Sequence, residues 1–160
     1  MSEQTSTGGT PETVAETAPE MESIPTDAPR VGIIMGSKSD AAAMEPAEKV
    51  LEEAEVNFEV RIMSAHRDPE VVADYCRNAR MRGLRVIIAG AGLSAALPGT
   101  AAAHTDLPVI GVPLTSRSSA LGGLDALLAI TQMPPGVPVG CVGLDNARNA
   151  AHLAVRILGA

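Results

Sequence analysis

The chain has 160 residues, a formal net charge of −7 and an apolar fraction of 46%, with aromatic residues at only 1%; this length fits one domain, and its core must be built from Ala, Val, Leu, Ile and Met. The first 29 residues carry six acids and no Lys or Arg, which leaves about −1 for the rest, and the absence of a basic cluster or of aromatics among basic residues excludes a nucleic-acid surface. No apolar run nears the roughly 18–20 residues of a membrane span, the N-terminus lacks a basic and an apolar leader segment, and Cys76 and Cys141 have no zinc-like spacing, so a cytoplasmic protein with reduced thiols and no metal is expected.

Met1 to Pro29 is rich in Glu, Thr, Ser, Pro and Gly. It has too few large apolar side chains to offset its ordering entropy and is expected to be a disordered acidic tail (1–29), leaving 30–160 as the folded domain. Val31 to Met35 reads as a buried strand. It runs into Gly36-Ser37-Lys38-Ser39-Asp40, where glycine allows close approach and Ser and Asp can cap a helix N-terminus that attracts phosphate. Taken alone, this turn reads more readily as ordinary capping. Met44, Ala47, Val50, Leu51 and Ala54 then keep helical spacing, with Pro46 expected to kink the early turns.

A second strand, Phe58 to Met63, leads into Ser64-Ala65-His66-Arg67-Asp68-Pro69, with Asp68 placed to cap and Pro69 at the first helical position. His66 at that exit has the chemistry of an acid and base near neutral pH, and Arg67 that of a phosphate fork. By position alone His66 is as readily a solvated loop histidine. A third strand, Arg85 to Ala89, is followed by Gly90-Ala91-Gly92-Leu93, where missing side chains suit either a flat ligand or tight helix packing. Val109 to Val112 is the fourth strand; Thr115-Ser116-Arg117-Ser118-Ser119 after it is a lid or a plain loop. The proline-rich Met133 to Pro138 leads to the fifth, Val139 to Val142, and Ala147, Ala150, Ala151, Ala154, Val155 and Leu158 stripe a last helix whose start Asn146 can cap. His104 and His152 read as structural or solvent-facing.

Five buried strands joined by helix-length segments predict an α/β protein: a three-layer α/β/α sandwich on a doubly wound parallel sheet, flavodoxin-like, with ligands beyond the carboxyl ends of the strands. Met35-Gly36-Ser37-Lys38-Ser39-Asp40, Ser64-Ala65-His66-Arg67, Ile87 to Gly92, Leu97-Pro98-Gly99, Leu107 to Pro113, Gly123-Leu124-Asp125 and Gln132-Met133-Pro134 together resemble the class I N5-carboxyaminoimidazole ribonucleotide mutases, in that family's order, across Val31 to Leu158. The family pattern often has a histidine where this chain has Ala96.

The resemblance implies an ATP-independent isomerase of purine biosynthesis that needs no metal or cofactor. It moves a carboxylate from N5 to C4 of an aminoimidazole ribonucleotide, inside a homo-octamer with sites between subunits. It makes 30–160 a catalytic domain and assigns His66 as the proton carrier. Ser37, Ser39, Asp40 and Arg67 would hold the ribose phosphate, and Ser64, Ala65, Gly90, Ala91, Gly92 and Leu93 would frame the base and the migrating carboxylate. Two other readings remain at this level: a class II enzyme carboxylating with CO2 directly, and a non-catalytic nucleotide sensor, against which His66 is the discriminating residue.

Overall fold

A computed structural model of the chain describes residues 23–159. In order these form β1 (Val31–Met35), a short 3-10 turn (Lys38–Asp40), α1 (Ala41–Glu53), β2 (Phe58–Ile62), α2 (Pro69–Arg77), β3 (Val86–Gly92), α3 (Ala96–Ala103), β4 (Val109–Leu114), α4 (Leu124–Thr131), β5 (Gly140–Cys141) and α5 (Ala147–Gly159). The five strands make one parallel sheet in the order β2-β1-β3-β4-β5. The chain therefore reverses its winding between β1 and β3, and the crevice beyond that point is where a doubly wound sheet takes its ligands.

Alternation along β1 sets the two sides of the sheet. Val31, Ile33 and Met35 pack with Met44, Ala47, Val50 and Leu51 of α1 and Ala147, Ala150, Ala151 and Ala154 of α5. Ile34 joins Val72 and Cys76 of α2, Leu97 and Ala101 of α3 and Ala126 and Ile130 of α4 on the opposite face. The alanine stripe of α5 packs against α1, with Phe58 at the margin of the same cluster. The opposite face is tight at two glycines: a Cβ on Gly32 would lie against the Tyr75 hydroxyl, and one on Gly111 against Ile130.

Two expectations from the sequence change. Only β1, β3 and β4 are buried strands. β2 pairs with β1 alone and keeps Val60 and Ile62 36% and 48% exposed, while β5 is two residues long. The polar residues of β2 explain its tolerance of an open edge: Glu59 accepts from Tyr75 (2.9 Å) and Arg61 (3.1 Å) and pairs with Arg82 at 2.8 Å. Secondly, β3 continues through Gly90 and Ala91 to Gly92, so these residues extend a strand where the sequence reads as a loop. α1 runs as one helix through Pro46, which forgoes the one backbone bond that the missing N–H would have made.

Residues 1–22, most of the segment read as an acidic tail, lie outside the described residues. Packing extends N-terminal of Arg30: a Cβ on Gly83, whose φ is +102°, would lie 2.9 Å from the Ala28 Cβ and 3.1 Å from the Ile24 Cγ2.

Candidate active site

The carboxyl ends of β1, β2, β3 and β4 open on one cleft of about 270 Å³, lined by Gly36, Ser37, Ser39, Asp40, Ser64 to Arg67, Ala91 to Leu93, Ala95 to Leu97, Thr115 and Ser116. Ten of the eleven side chains singled out from sequence lie on its wall; Gly90 does not. Its Cα faces the core, where a Cβ would collide with the Met44 thioether. The glycine at that position makes room for α1, and ligand approach falls to Ala91 and Gly92.

The first wall is polar. Ser37 caps the 3-10 turn, accepting from the Ser39 N–H at 3.3 Å and from the Ser39 hydroxyl at 2.9 Å. Asp40 stands at the N-cap of α1 without using its carboxylate as a cap, which leaves that group to the cleft. Burial pushes the Asp40 carboxyl above its ordinary range, outweighing hydrogen bonds from Ser37 and Ser39 and the charge of Arg67. A carboxyl raised in the fold stabilises below its unfolded pKa and loses that contribution as pH rises through its folded pKa. Asp40→Asn is therefore expected to melt higher than the native chain at pH 7, with the gap closing below about pH 4. Differential scanning calorimetry at the two pH values checks this.

The second wall carries the histidine. Ser64 closes the turn after β2, its hydroxyl accepting from the Arg67 N–H (3.3 Å) and its carbonyl from the Asp68 N–H (2.8 Å). His66 is thereby placed at the exposed tip. Asp68 does not cap α2 with its side chain, contrary to the sequence reading, although Pro69 does open the helix. Arg67 reaches back so that Nη2 donates to the Gly36 carbonyl at 3.0 Å. This one bond ties the β2 exit to the β1 exit and sets the guanidinium beside the Ser37–Asp40 turn.

The third wall is small and apolar. Leu93 (φ 53°) and Ala95 (φ 31°) adopt left-handed backbone without being glycine, at a cost of about 1–2 kcal/mol each. The turn is held by Ala95 N–H to the Gly92 carbonyl at 2.9 Å, and Gly92 lets β3 run close to β4, a Cβ there falling 3.0 Å from the Leu114 carbonyl. Strain of this kind at a cleft persists where the surrounding structure over-determines it.

Sequence reasoning left Thr115 and Ser116 uncommitted and assigned no site role to Ala95, Ala96 and Leu97; all five line the cleft. The signal was weak, because small residues opening a helix look the same whether or not a ligand faces them. His104 lies outside the cleft, its Nδ1 2.9 Å from the Thr100 carbonyl, and His152 is exposed on α5. Cys76 is buried with its thiol pushed up to about 11, and Cys141 is also free. Among the described residues no three His, Cys, Asp or Glu side chains are grouped as metal ligands, and no helix is long and apolar enough to cross a membrane.

Residues 30–160 match the AIR carboxylase family. The chain is 59% identical over 130 residues to the N5-carboxyaminoimidazole ribonucleotide mutase of Pyrococcus abyssi, covering 81% of this chain and 74% of that protein. It is 56% identical over 134 residues to the mutase of the same name from Mycobacterium leprae, with 84% and 77% covered. Among solved structures it is similar to Treponema denticola PurE, with a TM-score of 0.72 and 32% identity over 82% of this chain and 80% of that one.

Proposed function

The chain belongs to the AIR carboxylase family, and from that premise we propose that it is an N5-carboxyaminoimidazole ribonucleotide mutase, converting that substrate to 4-carboxy-5-aminoimidazole ribonucleotide in purine biosynthesis. The observation that carries this reading is the composition of one cleft. A histidine, an arginine beside a serine-rich helix start, and a wall of Gly and Ala converge there from four strand ends, in a chain more than half identical to proteins bearing that name.

Each wall has a task. Arg67, Ser37, Ser39 and the 3-10 turn supply donors for the ribose phosphate, and Asp40 accepts from a ribose hydroxyl. Ser64 and Ala65 flank the imidazole. His66 gives its proton to the exocyclic N5, the N–CO2 bond breaks, and CO2 is left beside Ala91, Gly92, Leu93 and Ala95. The electron-rich C4 attacks that carbon, the C–C bond forms, and the now neutral His66 removes the C4 proton. The proton count closes on His66, so no ATP, metal or cofactor enters the balance. Small apolar walls matter because CO2 must stay within bonding distance of C4 until it is captured.

The same reading includes a cytoplasmic homo-octamer with sites between subunits. Its support is a set of leucines open to solvent in a single chain: Leu121, Leu124, Leu128 and Leu144 are 40–58% exposed, more than isolated surface leucines require. Leu128→Glu is expected to lower the assembly mass measured by light scattering, and an unchanged mass removes α4 from the interface.

The function is tested by supplying freshly made N5-carboxyaminoimidazole ribonucleotide without ATP, and in parallel aminoimidazole ribonucleotide with bicarbonate. Faster formation of the 4-carboxy product from the first supports the mutase. Product from the second alone contradicts it.

A further inference from the structure

Among the described residues outside those that line the cleft, one side chain is bonded directly to its rim. Asp145, between β5 and α5, accepts from the Thr115 N–H through Oδ1 at 2.8 Å and from the Thr115 hydroxyl through Oδ2 at 2.7 Å. In return the Asp145 N–H donates to the Pro113 carbonyl at 2.8 Å. Three bonds thus join a loop thirty residues away in sequence to Pro113 and Thr115, where β4 runs into the cleft. Asp145 holds this position in left-handed backbone, φ 51°, a conformation more readily adopted by Asp and Asn than by most side chains but still costly.

The rest of Thr115 is fixed as well. A Cβ on Gly123 would sit 2.9 Å from the Thr115 Cγ2, so the methyl rests on the start of α4 while the hydroxyl is turned to Asp145. Gly123 is itself tied down, its N–H donating to the Ser119 hydroxyl at 2.9 Å, and that hydroxyl donates to Asp125 at 2.8 Å. The outcome is a rigid Thr115–Ser116 rim on the β4 side of the cleft, next to Gly92 across the β3–β4 pair.

We infer that Asp145 is a positioning residue of the carboxyl transfer: by fixing Thr115, it keeps Ser116 and the adjoining rim close enough to retain CO2 between its release from N5 and its capture at C4. This rests on the mutase reading. Asp145 touches no substrate, and its side chain acts through Thr115. A loosened rim would leave the first bond cleavage intact and let CO2 leave before recapture, so the loss appears as aminoimidazole ribonucleotide released in place of the 4-carboxy product.

The test measures the ratio of these two products from N5-carboxyaminoimidazole ribonucleotide, after subtraction of its spontaneous decay, for the full chain and three variants. Asp145→Gly keeps the left-handed backbone without strain and removes both acceptors. It is expected to raise the released-to-captured ratio at least about fivefold. Asp145→Asn retains an acceptor for the Thr115 N–H and a donor for its hydroxyl and is expected to bring the ratio most of the way back. Thr115→Val preserves the packing on Gly123 and loses one bond; it should move the ratio in the same direction as Asp145→Gly, and it serves as the test if that variant does not fold. A fall in total turnover with the ratio unchanged would assign Asp145 a structural role only and overturn the inference, as would native behaviour of both Asp145→Gly and Thr115→Val. If the unaltered chain itself yields no 4-carboxy product, the mutase reading fails first, and this inference fails with it.

Discussion

Replacement of His66 by Asn is expected to lower turnover by about 10²- to 10⁴-fold, the range a positioned acid and base supplies, while nucleotide affinity stays within about threefold of native. The proposed chemistry needs one group that is first an acid toward N5 and then a base toward C4, and His66 is the cleft's sole imidazole. The other ionisable groups there are unsuited. Asp40 stands on the polar β1 side at the start of α1, and the Arg67 guanidinium offers donors with no acceptor for a proton. Asn keeps the size and polarity of the tip without a proton to exchange. His66 is exposed at a turn closed by Ser64 and Arg67 rather than by its own ring, so stability should change by no more than about 0.5 kcal/mol. Binding of the 4-carboxy product by calorimetry, beside single-turnover rates, separates the two effects. Near-native turnover would remove His66 from the mechanism.

The second large effect is on binding. Arg67→Met is expected to raise KM by roughly ten- to a hundredfold, the equivalent of about 1.5–3 kcal/mol for charge-assisted hydrogen bonds, with a smaller change in kcat. The guanidinium spends one N–H on the Gly36 carbonyl, and its remaining donors are available to a phosphate seated on the Ser37–Asp40 turn. A loss confined to the phosphate end weakens ground state and transition state alike, which is the signature of a raised KM at similar kcat. Arg67→Lys should fall between the two, since it restores a point charge but neither the fork nor the reach to Gly36. A variant whose kcat collapses while KM holds would instead place Arg67 at the reacting carboxylate.

Much of the fold is legible in the residues. The apolar runs Val31 to Met35 and Val109 to Val112 mark central strands, and the Ala147-to-Leu158 stripe marks α5, because full burial and helical period leave a direct imprint on composition. What is not legible depends on distance in space. Gly90 reads as a loop glycine facing a ligand, yet its missing side chain makes room for Met44, forty-six residues earlier in the chain. Phe58 to Met63 reads as a buried strand because its pattern does not say that only one neighbour pairs with it.

The cleft divides in the same way. Ser37, Asp40, His66 and Arg67 stand out because polar residues at strand exits are conspicuous next to apolar runs. Thr115 does not, since its importance lies in bonds to Asp145, a residue whose Gly-Leu-Asp-Asn setting looks like an ordinary helix approach. Asn146 proves to be the simple cap of that pair, accepting from the Asn149 N–H at 3.1 Å, which leaves Asp145 free for the rim.

The central claim is that a single histidine and one cleft carry CO2 from N5 to C4 of one bound molecule, and the most direct measurement follows the carbon. N5-carboxyaminoimidazole ribonucleotide labelled with carbon-13 in its carboxylate is turned over by the full chain, without ATP, in a large excess of unlabelled bicarbonate. Retention of the label in the 4-carboxy product is the predicted result. A product carrying carbon from the medium would contradict the account and indicate direct carboxylation by free CO2.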